Sequence, residues 1–166
     1  MRDADIESLE RATLQAVAPE VVDRLPGWLL PMDHGTVGRA RSAVPLSHAS
    51  PDPAALAGIT ARYRERGFAP AFRLPEVPAF GAMARELLAQ GWQRAQPTLT
   101  QIAAVADLLV LPGGPGAALA GRPDAGWTAM FLGEGLDPAD GASRSAARAR
   151  AQGTLFASVV EDGQTL

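Results

Sequence analysis

The chain has 166 residues, 47% of them hydrophobic, and a formal net charge of −3. This size predicts one ordinary core, and the mild acidity disfavours nucleic acid as a partner, because phosphate binding usually shows as a basic face. The chain contains no cysteine and no lysine, which excludes thiolate nucleophiles, sulfur metal sites, Schiff bases and P-loop chemistry. No apolar run approaches the roughly 20 residues of a membrane span, and residues 1–5 are acidic rather than signal-like, so we expect a cytoplasmic protein with no membrane partner.

The first third of the chain predicts a helix followed by a hairpin. One helical stripe begins after Asp3 or Asp5 as N-cap and stops at Pro19; it consists of Ile6, Leu9, Thr13 and Val17. Two extended segments follow at residues 28–32 and 39–46, and the connecting residues 33–38 contain two glycines that suit a hairpin loop. Pro31 lacks an amide donor, so we expect the first of these strands at a sheet edge or bulged.

Residues 50–102 predict helix, strand, helix and strand in that order. The first helix follows the Pro-rich residues 50–53 and ends at Gly67, and the second opens at Pro78 and ends at Gly91. Extended segments at residues 71–74 and 98–102 follow them. We expect one core that contains Leu56, Ile59, Phe72, Phe80, Met83, Leu87, Leu99 and Ile102. The predicted fold class is α/β, with mixed α+β layers.

Beyond residue 103 the chain is richer in loop signals. Residues 111–116 form a Pro/Gly-rich loop, residues 127–132 predict a helix, and residues 143–151 a short arginine-rich surface helix after a turn-rich stretch at 133–141. Residues 154–160 predict a strand that reaches a hairpin signal at Glu161-Asp162-Gly163, after which only three residues remain. Because a three-residue return strand leaves its partner largely unpaired, we expect this chain to be the front part of a longer protein. The predicted domains are 1–110, a boundary loop at 111–124, and the start of a second, truncated unit at 125–166.

Three segments, taken in order, resemble the GCN5-related N-acetyltransferases (GNATs). They are Gly27-Trp28-Leu29-Leu30 through Arg39-Ala40-Arg41-Ser42-Ala43-Val44-Pro45-Leu46, then Tyr63-x-x-x-Gly67-Phe68, then residues 155–163 with their Val-x-Glu-Asp-Gly turn. The likeness is to the N-terminal GNAT-like region of a longer bacterial acetyltransferase, and it covers most of the chain. It implies a GNAT-like sheet flanked by helices, acetyl-CoA as cofactor, and a small-molecule or peptide amine as acceptor.

The chain departs from that family at the loop that holds the pyrophosphate of CoA. Residues 64–69 spell the family's Arg-x-x-Gly-x-Ala pattern, yet Gly67 is expected to end a helix, where carbonyls rather than amides are free. The glycines at 113–116 are not expected to bind the pyrophosphate either, because Pro115 removes an amide donor from that segment. We therefore expect weak or absent acetyl-CoA binding by this chain alone.

The resemblance also suggests a catalytic and an acceptor-side site. Tyr63 is a candidate general acid for the CoA thiolate, although its helical spacing suits a core residue as well. His34 lies at the predicted hairpin tip, where a solvated turn is the alternative. Arg39 and Arg41 are expected on one strand face, with Ser42 on the other; they would bind an anionic acceptor or simply be solvated.

No metal site is predicted, since His34 and His48 would need a carboxylate and a fold that joins them. Two function classes remain open at this point. One is an acetyltransferase of unassigned catalytic base, and the other is a non-catalytic GNAT-like module for acceptor binding or for homodimer formation.

Overall fold

The computed structural model describes residues 2–114, 116–161 and 164–165. It begins with helix α1 (Asp3–Val17), which buries Ile6, Leu14 and Val17. Arg2 rather than an aspartate occupies the N-cap position, and the Asp5 carboxylate accepts a hydrogen bond from the Arg2 backbone amide at 3.0 Å. The helix ends before Pro19, as its pattern predicted.

A three-stranded antiparallel sheet follows, with the order β1-β2-β3. Its strands are β1 (Val21–Leu25), β2 (Trp28–Met32) and β3 (Val44–Pro45). The β1–β2 hairpin was missed in the sequence; it turns at Pro26-Gly27, with Gly27 at φ +75°. The prediction of an edge position for the Pro31 strand was wrong, because β2 is the central strand. Proline is tolerated there because β3 pairs only with Trp28 and Leu29 and does not extend as far as Pro31.

Two helices pack against β2 and build the main core. They are α2 (Ala55–Glu65) and α3 (Gly81–Ala89), and a 3-10 turn at Pro78–Phe80 opens the latter. The expected inner stripes are confirmed: buried members of this cluster include Leu56, Ile59, Tyr63, Phe80, Met83 and Leu87. Phe72 packs against it and forms a parallel bridge with Ala43, so the strand predicted at residues 71–74 is reduced to one bridge.

The expected strand at residues 98–102 was wrong. Residues 93–104 have no regular structure, and Leu99 and Ile102 are 81% and 66% exposed instead of joining the core. A strand requires a partner for its backbone groups, and in the parts of the chain described here this segment pairs with none.

The second half contains smaller elements. The helices are α4 (Val105–Leu109), α5 (Ala125–Ala129), a 3-10 turn at Met130–Leu132, and α6 (Pro138–Arg150). The strands form two pairs, β4 (Ala118–Ala120) with β5 (Phe156–Ser158), and β6 (Val160–Glu161) with β7 (Gln164–Thr165). The predicted strand at 154–160 is thus split in two, and the expected turn residues Asp162 and Gly163 lie outside the described residues.

Helix α6 begins five residues earlier than its sequence pattern indicated. Asp137 caps it by accepting a hydrogen bond from the Ala139 amide at 2.9 Å, and Pro138 takes the first helical position. Gly141 lets the helix approach the preceding 3-10 turn, since a Cβ there would lie 2.0 Å from the Phe131 carbonyl oxygen. The predicted fold class of mixed α+β layers is confirmed.

Candidate functional site

The loop between β2 and β3 is organised around one buried carboxylate. Asp33, at the start of the His34 loop (residues 33–38), is 5% exposed. Its Oδ1 accepts a hydrogen bond from the Gly35 amide at 2.6 Å, and its Oδ2 accepts one from the Glu20 amide at 3.2 Å. These bonds tie the His34 loop to the segment that joins α1 to β1.

His34 is held at the surface by two contacts. Its Nδ1 lies 2.8 Å from Glu20 Oε2, and its ring packs on Phe68 with the ring centroids 4.6 Å apart. The hydrogen bond from His34 lowers the pKa of the Glu20 carboxyl. Nothing in the sequence pattern singled out Glu20; recognising β1 as the partner of β2 would have placed it opposite the His34 loop.

Helix α6 docks on the same loop through its arginines. Arg150 Nη2 donates to Asp33 Oδ2 at 2.7 Å and to the Ala18 carbonyl at 3.1 Å, and Arg148 Nη1 donates to the Ala16 carbonyl at 2.9 Å. Both carbonyls belong to the C-terminal end of α1, where cations are favoured. The expectation of a surface helix agrees with the exposure of most of α6, but Arg148 and Arg150 also anchor the helix to the end of α1.

A fourth contact completes the docking. Ser143 Oγ accepts a hydrogen bond from the Thr36 amide at 2.9 Å. It also fills the space beside Gly35, where a Cβ would lie 2.4 Å from that oxygen. The His34 loop is consequently part of a packed contact with α6 and not an isolated hairpin tip.

The two arginines predicted for one strand face do not lie on a strand. Residues Gly38–Ala40 form a 3-10 turn that contains Arg39, and Arg41 follows it directly. Ser42 Oγ donates to the Gly38 carbonyl at 2.8 Å, which closes the turn and competes with an extended backbone. Arg39 and Arg41 are exposed, Arg41 donates weakly to the Gly35 carbonyl at 3.4 Å, and Ser42 is buried. The acceptor-side role of these residues stays a prediction.

Tyr63 lies inside the core. Its side chain is 0% exposed, and its hydroxyl donates to the Pro31 carbonyl oxygen at 2.8 Å. Burial raises the pKa of this phenol above its ordinary value. The placement is the one expected of a core residue with a satisfied hydroxyl, and its role as a general acid stays a prediction.

The Arg64-x-x-Gly67 segment is a helix C-cap, as its context indicated. Gly67 adopts φ +79°, its amide donates to the Arg64 carbonyl at 3.0 Å, and the Phe68 amide donates to the Tyr63 carbonyl at 2.9 Å. Both amides are used within the cap. They therefore do not fit the cradle that the pyrophosphate of CoA requires.

A solvent-open groove of about 600 Å³ runs between α2 and α3. Small alanines of α2 line one side, Trp92 also lines the groove, and its polar residues are Thr60, Arg64, Glu86 and Gln90. Its lining includes neither Tyr63 nor any residue of the His34 loop, so the predicted catalytic and acceptor-side residues do not line this groove.

Two further properties bear on the type of site. Across residues 2–114, 116–161 and 164–165, no three His, Asp or Glu side chains cluster closely enough to hold a metal ion. In the same residues, no helix combines the length and the apolar character required to cross a bilayer.

The family model described as "Probable histone acetyltransferase Rv0428c C-terminal" matches residues 3–163. The chain belongs to this family. The family's description indicates an acetyltransferase, a class of enzyme that uses an acyl-CoA donor. It names a C-terminal region, whereas the sequence pattern suggested a front region; the position of the chain in a longer protein stays a prediction. Neither the curated proteins nor the solved structures gave a significant match.

Proposed function

We propose that this chain is part of a GNAT-type N-acetyltransferase, which transfers an acetyl group from acetyl-CoA to an amine. The family match over residues 3–163 carries the proposal, and the ordered GNAT-like segments of the sequence support it. In this class of reaction the amine attacks the thioester carbonyl, a C–N bond forms and the C–S bond breaks; the amine gives up one proton and the departing CoA thiolate takes one up, so that the products are an amide and free CoA thiol. Such catalysis depends on proximity and proton transfer and requires no covalent enzyme intermediate.

The acceptor side is the part of that reaction for which this chain is better equipped. The His34 loop presents an exposed imidazole beside Glu20, with Arg39 and Arg41 exposed just after it. We propose a small-molecule or peptide amine as the acceptor, bound near this loop. The guanidinium groups suit an acceptor that also carries a carboxylate or phosphate.

From residues 64–69 we infer that this chain alone binds acetyl-CoA weakly. The amides of Gly67 and Phe68 already donate to carbonyls of α2, so the segment that spells the family's loop has none to offer a pyrophosphate. Calorimetric titration of the purified chain with acetyl-CoA tests this directly. We expect no saturable heat, and release of free CoA thiol in the presence of an amine panel should not exceed the rate without protein.

Micromolar acetyl-CoA binding that Gly67→Ala abolishes would contradict the assignment of Gly67 as a helix cap only. Micromolar binding that survives Gly67→Ala but is lost in Arg64→Ala would instead place the donor in the groove between α2 and α3, which Arg64 lines.

The second candidate is a non-catalytic module that binds the acceptor amine. The use of both cap amides and the burial of Tyr63 favour it, because each removes a group that catalysis in this chain would need. Saturable binding of an amine without any acetyl-CoA-dependent thiol release would distinguish this module from the enzyme.

A further inference from the structure

His34 is exposed at the surface, yet two contacts fix the orientation of its ring. Its Nδ1 lies 2.8 Å from Glu20 Oε2, although 74% of the His34 side chain is exposed. The ring also packs on Phe68, which in turn packs against the main core. Because the Phe68 contact restrains the imidazole as well, this pair differs from an ordinary surface ion pair, whose two side chains lose freedom only through each other.

Glu20 is itself held in place by a buried carboxylate. Its backbone amide donates to Asp33 Oδ2 at 3.2 Å, and the same oxygen accepts a hydrogen bond from Arg150 at 2.7 Å. The hydrogen bond from His34 lowers the pKa of the Glu20 carboxyl, so this group is ionised at neutral pH. An ionised carboxylate can only accept hydrogen bonds, and Nδ1 is therefore the ring nitrogen of His34 that carries the proton.

This tautomer leaves the Nε2 atom of His34 with a free lone pair. Within residues 2–114, 116–161 and 164–165, Nε2 makes no hydrogen bond. The guanidinium of Arg41 lies close to the same loop, since its Nη1 donates to the Gly35 carbonyl at 3.4 Å. An imidazole whose Nδ1–H is oriented by a carboxylate and whose Nε2 is free has the arrangement of a general base in acyl transfer.

We propose that His34 is the general base that takes the proton of the acceptor amine, and that Glu20 is its positioning residue. This inference rests on the proposed acetyl transfer and assigns the base for it. As the amine nitrogen bonds to the carbonyl carbon of an acetyl thioester, Nε2 takes one amine proton, and His34 becomes an imidazolium paired with Glu20. The C–S bond breaks, and the imidazolium returns the proton to the departing thiolate. The products are an amide and a free thiol.

A spectroscopic test of the tautomer is direct, because the chain contains only two histidines. The second, His48, is half-buried against Phe80, and in the part of the chain that the structure describes its ring has no carboxylate partner. Long-range proton–nitrogen NMR spectra at about pH 8.5, where imidazoles are neutral, report which ring nitrogen carries the proton. The variant His48→Gln assigns the two sets of signals.

We expect His34 to carry its proton on Nδ1 in the unaltered chain and to show both tautomers in Glu20→Ala, while the signals of His48 stay the same. A merely structural role of Glu20 would not move this tautomer. His34 protonated on Nε2 in the unaltered chain would overturn the proposal.

Release of free thiol tests proton transfer itself. The donor is the S-acetyl thioester of N-acetylcysteamine in large excess, which lacks the pyrophosphate of CoA and so does not depend on a loop that binds it. The acceptor is phosphoethanolamine, and the rate without this amine is subtracted. A thiol reagent detects only the product, because the chain has no cysteine, and the absence of lysine leaves no side-chain amine to compete.

We expect His34→Gln to lower the amine-dependent release at least ~10-fold and Glu20→Ala to lower it by a smaller factor. The matched control His48→Gln should release thiol at the rate of the unaltered chain. Circular dichroism checks that all three variants remain folded.

The contrary outcomes separate the base from the reaction. Release that persists in His34→Gln, or that falls equally in His48→Gln, would overturn the assignment of the base and leave acetyl transfer standing. A burst of thiol that matches the amount of protein would indicate covalent attack by His34 and would also overturn it. No amine-dependent release by the unaltered chain would overturn both the base and the acetyl transfer, and would favour the non-catalytic module.

Discussion

The substitution Tyr63→Phe separates the two roles that the sequence allowed for this residue. Leu25 and Trp28 form the hydrogen-bonded pair next to the turn, and hydrogen-bonded and non-hydrogen-bonded pairs alternate from there along β1 and β2. Val22 and Pro31, three pairs further on, are therefore a non-hydrogen-bonded pair, and the Pro31 carbonyl points away from β1. Strand β3 does not reach Pro31, and the Tyr63 hydroxyl therefore supplies the hydrogen bond to this buried carbonyl.

The expected cost follows from that geometry. Phenylalanine keeps the ring and creates no large cavity, but it leaves the Pro31 carbonyl without its donor. An unpaired buried polar group costs ~1–3 kcal/mol, so we expect a loss of about 2 kcal/mol in the free energy of unfolding and a drop of about 4–8 °C in Tm. Thr98→Val is the matched control, because it removes an exposed hydroxyl and should change stability by less than ~0.5 kcal/mol.

The pH dependence of stability provides a second test of whether Tyr63 is a buried core residue. Because burial raises the pKa of Tyr63, folding favours the protonated phenol. This contribution to stability is complete below the unfolded-state pKa near 10 and is lost as pH rises above it, by at most ~1.4 kcal/mol per pH unit. The phenylalanine variant should lack this alkaline loss and should approach the stability of the unaltered protein as pH increases past 10.

Urea denaturation at pH 7 and at pH 10.5 measures these effects, with the thiol-release assay run on the folded fraction. If Tyr63 is a core residue, any acetyl transfer that the unaltered protein shows should persist in the variant. Unchanged stability of the variant would refute the reasoning, because the Tyr63 hydroxyl would then contribute nothing by satisfying the Pro31 carbonyl. If the unaltered protein does show acetyl transfer, a loss of more than ~100-fold in kcat would identify Tyr63 as the general acid.

Three more substitutions test the packing. Gly67→Ala should cost about 1–2 kcal/mol in urea denaturation, because φ +79° is strained for a residue with a Cβ. Asp33→Ala leaves three donors without their acceptor and should cost about 3 kcal/mol by the same measurement, while making the His34 loop more sensitive to proteolysis. Gly141→Ala should cost about 1–3 kcal/mol, since its Cβ would overlap the Phe131 carbonyl, whereas Gly58→Ala on the open face of α2 should stabilise by about 0.5–1 kcal/mol in thermal melts.

Each of these predictions has an outcome that contradicts it. A neutral Gly67→Ala would mean that the end of α2 relaxes without a left-handed cap. An Asp33→Ala variant with unaltered proteolysis would show that α6 does not restrain the His34 loop. Equal stabilisation by alanine at positions 58 and 141 would show that α6 does not approach the 3-10 turn closely.

The helices of the main core were predictable because their signals are local. The buried positions of α2 recur at helical spacing, and glycines with positive φ follow both α2 and α3 at Gly67 and Gly91. Each signal acts within a few residues of the chain, so the sequence alone carries it. The hydrogen bond from Ser42 to the Gly38 carbonyl is equally local. The 3-10 turn that it closes was missed because Arg39 and its neighbours also have the pattern of a strand.

The strands and the candidate site depended on partners that are distant in the chain. Residues 98–102 have the composition of a strand but no strand beside them, whereas Val21–Leu25 becomes one by pairing with β2. Glu20 and His34 are 14 residues apart, and Asp33 and Arg150 are 117 apart, so no spacing rule connects them.

By itself, the sequence determined which chemistries are absent, through the lack of cysteine and lysine, and where helices α2 and α3 end, through Gly67 and Gly91. The tertiary structure alone decided that Tyr63 satisfies the Pro31 carbonyl, that Arg150 pairs with Asp33, and that Leu99 and Ile102 stay exposed. The physical reason is that helical hydrogen bonds close within four residues, whereas a buried carboxylate or a strand is stable only when another part of the chain supplies its partner.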